Sequence, residues 1–210
     1  AEGDHLVRAA LKRGARPTIG VFSNSYGSQA GAQCMDAADK NVLIPDALFD
    51  EISALESPAR MGFVFDLPPT PAVQPRMASV VLDRVQDAGN VGAILRSASA
   101  FGFQQVIALK GTAALWSPKV LRAGMGAHWD LPLLGTSSHQ GEYLHRSLAM
   151  GQLPMPCAWA LGHEGQGVCQ ELQQLATWHV RIAQPGGEES LNVAAAAAIC
   201  LHASATAGLG

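Results

Sequence analysis

The chain has 210 residues, 48% of them apolar and 15% charged, a balance that supports a hydrophobic core and excludes a disordered chain. The longest apolar candidate, Val193–Leu201, is ended by His202, well short of the roughly 18 residues a membrane-spanning helix requires. A net charge of −3 leaves no overall basic footprint for nucleic acid, although Arg8, Lys12, Arg13 and Arg16 cluster locally at helical spacing, a pattern equally suited to a solvated helix face.

The opening residues, AEGDHLV, carry two acids and no apolar signal block, and they read like the interior of a longer sequence, so a start further upstream is expected. The cysteines at positions 34, 157, 169 and 200 form no C-x-x-C pair. Neither a zinc site nor a disulfide framework is suggested, and a reducing, cytoplasmic location is expected. A helix is predicted near Asp4–Gly14, followed by a strand at Thr18–Phe22, a helix near Ser28–Asp39 and a strand at Asn41–Ile44. A helix near Ala47–Leu55 and a strand at Gly62–Asp66 complete a small α/β unit. The run DLPPTPAVQPRM (Asp66–Met77) then places Pro68, Pro69, Pro71 and Pro75 where no regular element tolerates them. The expected division is therefore a first domain over 1–67, a linker over 68–77 and a second domain over 78–210.

The second domain alternates more clearly. Strands are predicted at Ala78–Asp83, Gln104–Leu109, Leu131–Leu134, Cys157–Gly162 and His179–Ala183. Helices are predicted at Asn90–Phe101, Ser117–Arg122 and Gly141–Met150 and over the alanine-rich segment that follows Asn192. Such alternation implies an α/β fold with a mostly parallel sheet covered on both faces, and it directs attention to the loops beyond the carboxyl ends of strands.

Three of these junctions are rich in glycine and polar residues. In LDRVQDAGNVGAILRSASAFG, the residues Val91, Ile94, Leu95, Ala98 and Phe101 form one helical stripe, and Arg96 projects nearly opposite it at about 100° per residue. Asn90 suits a cap or a ligand contact equally well, and Gly89 and Gly92 permit close backbone approach. The second junction, LGHEGQGV, sets three glycines around Glu164; it lacks the Lys-Ser/Thr of a phosphate loop, and His163 has no partner at metal-ligand spacing. In the third, QPGGEESLNVAAAAAIC, Ser190 is positioned to cap the last helix, with Leu191 and Asn192 in its first turn, while small alanines allow close packing behind.

Taken together, DRVQDAGNVGAILRSASAFG, LGHEGQG and IAQPGGEESLNVAAAAAI resemble the three motifs of the SpoU (TrmH-like) RNA ribose methyltransferases of the SPOUT superfamily, over about residues 78–205. More weakly, the N-terminal part resembles that family's small RNA-binding domain, and EGDHLVRAAL its opening helix. The resemblance implies a C-terminal trefoil knot, a homodimer, and S-adenosylmethionine bound largely by backbone groups. It places Leu161, Gly162, Gly167, Ile182 and Leu191 at the cofactor, and it assigns Asn90, Arg96, Glu164, Ser190 and Asn192 to the polar active-site positions. RNA, either tRNA or rRNA, would be held by Arg96 and by Arg8, Lys12 and Arg13, with no metal required.

The implied reaction moves a methyl group from a sulfonium to a ribose 2′-hydroxyl. An alcohol attacks poorly until its proton can leave. A guanidinium stays protonated, so Arg96 reads first as an anchor for phosphate and the 2′-oxygen, with a base role remaining open. The family segment similar to RAGMGAHWDLPL often carries serine where Gly124 stands, and no role is assigned there. The alternatives are base methylation by a related enzyme, a non-catalytic RNA-binding or ribosome-assembly protein on the same fold, and a nucleotide-binding oxidoreductase. The last lacks a G-x-G-x-x-G fingerprint.

Overall fold

The computed structural model describes residues 1–27, 35–129, 133–134, 142–143, 156–185 and 190–207. They fall into two compact units, Ala1–Pro69 and Thr70–Gly210.

The first unit begins with α1 (Asp4–Lys12), whose Leu6, Val7 and Ala10 are buried. Strand β1 (Ile19–Ser23) leads into a single helical turn, α2 (Asn24–Gly27), and is followed by β2 (Lys40–Ile44), α3 (Asp46–Ile52) and β3 (Met61–Val64). The strands lie in the order β2-β1-β3, with β1 parallel to β2 and antiparallel to β3. Phe22, fully buried on the central strand, packs edge-on to Phe63 at 5.5 Å between ring centroids and stacks on Tyr26 at 5.8 Å. Most of the helix expected near Ser28–Asp39 lies outside the described residues; within them, Met35–Ala37 forms one 3-10 turn.

In the second unit, β4 (Ser79–Leu82), α4 (Ala88–Ala100), β5 (Gln105–Ala108), α5 (Pro118–Gly124) and β6 (Leu133–Leu134) follow in turn. Next come β7 (Glu142–Tyr143), β8 (Ala158–Leu161), α6 (Gln170–Leu175), β9 (Val180–Arg181) and α7 (Val193–Thr206). The main sheet has the order β6-β5-β4-β8, and every pair in it is parallel. Its core is built from Val80 and Leu82 on the central strand, Val91, Ile94, Leu95 and Ala98 on α4, and Ala197 and Leu201 on α7, all fully buried. Each large aliphatic side chain buried in this way contributes about 1.5–3 kcal/mol. Gly92 is required by this packing: a Cβ there would lie 2.3 Å from Ala123 Cβ and 2.7 Å from Gly124 N, so its close approach serves α5. Gln105, buried on β5, holds the end of the proline-rich segment, donating to Gln74 O at 2.7 Å and accepting from Gln74 N at 3.1 Å.

Two expectations are corrected. Glu142 and Tyr143, expected in a helix over Gly141–Met150, form a strand paired in parallel with Val180 and Arg181; the rest of that span lies outside the described residues. Pairing with a distant strand overrides the local helical pattern. The sequence pattern does not predict helix α6; its six residues, QELQQL, bury no side chain and give little periodic signal. Of the strand expected at Leu131–Leu134, residues 131–132 lie outside the described residues. Among the described residues, Cys157, Cys169 and Cys200 are joined in no disulfide, and no helix is long and apolar enough to cross a membrane.

Candidate active site

The strand order reverses between β4 and β8. The chain leaves β4 toward β5, while β8 lies on the opposite side, so the loops beyond these neighbouring strands diverge and leave a crevice at their carboxyl ends. Polar side chains converge there. Asp87 caps α4, its carboxylate accepting from Asn90 N at 2.7 Å. This frees the Asn90 side chain, expected to act as a cap or a ligand, for other contacts. Asn90 Nδ2 donates to Glu164 Oε1 at 3.1 Å, and Asn90 Oδ1 accepts from Asn192 Nδ2 at 2.9 Å. Asn192 Oδ1 in turn accepts from Ala194 N at 2.9 Å and Ala195 N at 3.2 Å.

Asn192 is therefore the cap of α7, which corrects the assignment of that role to Ser190. A cap side chain serves the amides two and three residues ahead; from Asn192 these are Ala194 and Ala195 inside α7, whereas Ser190 stands three residues before the helix begins at Val193. The chain of bonds also fixes the amide orientations. The helix amides demand an oxygen from Asn192, whose NH2 group then faces Asn90, whose NH2 group faces the carboxylate. For Glu164, burial opposes ionisation; its own backbone, the Asn90 side chain, and the backbones of Gln86 and Asp87 outweigh that effect. The carboxyl is held below its ordinary pKa and is ionised at neutral pH.

The loop carrying Glu164 is a closed turn. His163 N donates to Gly167 O at 3.0 Å, Gly167 N donates to His163 O at 2.8 Å, and His163 Nδ1 accepts from the amides of Gly165 and Gln166 at 3.0 and 3.1 Å. A side chain at Gly162 would strike this turn, because its Cβ would lie 2.2 Å from Val168 N and 2.3 Å from Gly167 C. Gly167 has a positive φ of 66°, which glycine adopts without strain.

The remaining predicted residues are placed as follows. Leu161 is buried in the main core, and its carbonyl is already bonded to Asp83 N at 2.7 Å, so its own groups serve the sheet. Ile182 packs beside Cys200 and Ala203 of α7, whereas Leu191 keeps 39% of its surface exposed just before that helix. Ser190 is exposed. Arg96 is exposed on α4 and has no hydrogen bond or ion pair with any described residue. It lies six residues beyond Asn90, which on a helix is about 9 Å along the axis and roughly 120° around it, so the two do not share a face. In the first unit, Arg8 is engaged by Asp4, Nε lying 2.7 Å from each carboxylate oxygen, and Arg13 donates to Ala9 O at 3.3 Å; Lys12 is exposed.

Sequence reasoning missed the supports of the site. The cap Asp87 was legible as an acid three residues before Asn90, but the buried Asp83, Arg84 and Gln166 gave no local signal. Among the described residues, no group of three or more His, Cys, Asp or Glu side chains is arranged to hold a metal ion.

A parallel α/β domain with its polar groups gathered at the point of strand reversal belongs to the class that binds a small ligand beyond the sheet. The model of the SpoU rRNA Methylase family matches residues 77–145 and 130–202, and the chain belongs to that family. It is similar to the 23S rRNA (guanosine(2553)-2′-O)-methyltransferase RlmP of Bacillus subtilis, with 29% identity over 96% of this chain and 86% of that protein. It is also similar to the mitochondrial rRNA methyltransferase 3 of Mus musculus, 34% identical over 63% of this chain, a match spanning only 34% of that longer protein. Among solved structures, an AdoMet-bound rRNA methyltransferase from Sinorhizobium meliloti superposes with a TM-score of 0.75 and 25% identity, covering 97% of this chain and 85% of that one.

Proposed function

We infer that the chain is an S-adenosylmethionine-dependent RNA methyltransferase acting on a ribose 2′-hydroxyl. The observation that carries this reading is the Glu164–Asn90–Asn192 chain, which joins all three family-like motifs in one crevice. The residues present suit the cofactor: Gly165 and Gly167 place no side chain over the exposed loop, Leu191 offers exposed apolar surface, and the ionised Glu164 favours a cationic ligand. When bound, S-adenosylmethionine supplies a methyl group on a positively charged sulfur.

The protein's own residues bind and orient. Gly162, Gly167, Ile182 and Leu191 would hold the cofactor. Asn90 and Glu164 keep the loop against α4, and Asn192 ties the start of α7 to both. Ser190, two residues from that cap, would orient the ribose hydroxyl. The exposed guanidinium of Arg96 would bind an RNA phosphate and lower the cost of charge developing on the 2′-oxygen. Holding the reacting groups together accounts for much of the acceleration. Ribosomal RNA is the proposed substrate, on the strength of the relatives' names, with tRNA the other RNA class considered. A C-terminal knot, a homodimer that brings a second subunit to the face of Arg96, a cytoplasmic location, and an RNA-binding role for residues 1–67, including Arg8, Lys12 and Arg13, belong to the same proposal.

Methyl transfer from labelled S-adenosylmethionine to unmodified ribosomal RNA, followed by alkaline hydrolysis, tests the reading. Ribose methylation blocks attack of the 2′-oxygen on phosphate, so label should appear in alkali-resistant dinucleotides. Label in mononucleotides would mean base methylation and refute it. Cofactor binding tested in parallel separates an inert RNA binder from an enzyme lacking its RNA.

A further inference from the structure

Arg84 occupies an unusual position. It follows the buried Asp83 at the end of β4 and adopts a φ of 55°, uncommon for any residue with a side chain. The compensation is visible in its contacts. Arg84 Nε lies 3.1 Å from Asp83 Oδ1, and one terminal nitrogen lies 3.2 Å from Asp83 Oδ2. The guanidinium then crosses to the loop after β8, donating to Gln166 Oε1 at 2.9 Å and to Gly167 O at 3.4 Å. Gly111 leaves room for its stem: a Cβ there would lie 3.1 Å from Arg84 Cγ. Asp83 is 1% exposed and also accepts from Cys169 N at 2.7 Å, so the same carboxylate secures the chain just past the loop.

The loop is thus held from two sides. Glu164 bonds Asn90 on one side, Arg84 grips Gln166 and Gly167 on the other, and the His163–Gly167 bonds make the turn between them a single unit. We propose that Arg84 is a positioning residue that clamps the Gly162–Gly167 loop to the end of β4 in the geometry that binds S-adenosylmethionine. Only a planar, forked cation engages Asp83, Gln166 and Gly167 together, and lysine's point charge cannot. The inference rests on the cofactor reading above.

The test is the dissociation constant of S-adenosylmethionine for the full chain, measured by calorimetry beside the unfolding midpoint. Gln166→Ala removes the loop's exposed partner and leaves the Asp83–Arg84 pair intact. It should weaken cofactor binding several-fold with an unchanged unfolding midpoint. Arg84→Gly tolerates the positive φ and should weaken binding by about tenfold, the size expected for losing a charge-assisted hydrogen bond. Arg84→Lys should fall between the wild type and Arg84→Gly. Adding Gln166→Ala to Arg84→Gly should cost nothing further, since both remove one link. Cofactor affinity within twofold of wild type in Gln166→Ala, or fully additive losses in the double variant, would overturn the clamp. If Arg84→Gly does not fold, Gln166→Ala still decides the matter. A wild-type chain that binds no S-adenosylmethionine would overturn the cofactor reading itself, and the clamp with it.

Discussion

Asn192 has two duties that one substitution can separate. Its Oδ1 caps α7 through two amides, and its Nδ2 holds Asn90 at 2.9 Å. Asn192→Asp keeps an acceptor facing the helix, so the cap survives, and a negative charge at a helix N-terminus adds about 0.3–1 kcal/mol. The second carboxylate oxygen, however, would face Asn90 Oδ1 with no proton between them. Rotating the Asn90 amide only moves the conflict, because its oxygen would then face Glu164 Oε1, now its acceptor at 3.1 Å. One link of the chain is lost in either arrangement. The first arrangement loses a neutral amide bond and sets an amide oxygen against a carboxylate, and the second loses a bond to a charged group, worth about 1.5–3 kcal/mol and equivalent to about 10- to 150-fold in rate if it is felt in the transition state. Asn192→Asp, which keeps the cap, should therefore lose less stability than Asn192→Ala while lowering kcat/KM by at least about tenfold. Asn192→Ala should lose about 1 kcal/mol of stability with its cap and show a similar loss of activity. The measurements are urea denaturation and methyl transfer on the same samples. Wild-type activity in Asn192→Asp would show that the Glu164–Asn90–Asn192 chain does not matter to function, and equal destabilisation by Asp and Ala would refute the cap.

Arg96→Ala should reduce methyl transfer by more than about a hundredfold with cofactor affinity nearly unchanged, as expected for a residue that acts only on the reacting RNA; normal turnover would remove Arg96 from the site. Leu191→Asp should weaken cofactor binding, because a carboxylate would have to be desolvated against a bound ligand, and equilibrium dialysis reads the loss directly. His128 adds a pH dependence. Burial lowers its pKa, opposed by its bond to the Leu115 carbonyl at 2.8 Å, and its Nδ1 has no partner among the described residues. The folded state therefore favours neutral imidazole, so its stability contribution is full above the unfolded pKa of about 6.5 and is lost as pH falls below it. Denaturation midpoints measured between pH 5 and pH 8 (about 1.5 units either side of that pKa) should fall on the acid side, and His128→Leu should flatten that slope while losing stability at neutral pH. An unchanged slope would assign the acid sensitivity to another group.

The elements of this protein were legible wherever a local pattern encodes burial. The stripe Val91, Ile94, Leu95 and Ala98 faces the core as its spacing requires, and the β-branched run at β4 lies at the centre of the sheet. The three polar junctions were legible as well, because glycine and capping residues cluster where strands hand over to helices. Local pattern failed where a distant partner decides. Glu142 and Tyr143 pair with β9, Asn90 turns from capping to Glu164 because Asp87 caps instead, and Gly92 admits α5 rather than a ligand. Arg84 shows the limit most plainly. Its neighbours in sequence reveal nothing of Gln166, 82 residues away, and only the parallel pairing of β4 with β8 brings the two within 2.9 Å. Sequence by itself determined the strands and helices whose burial is written in local periodicity, and which side-chain types stand at the three polar junctions, since these follow from spacing and residue identity. Tertiary structure alone decided which of those residues meet, because strand order sets which loops are neighbours, and no spacing along the chain encodes it.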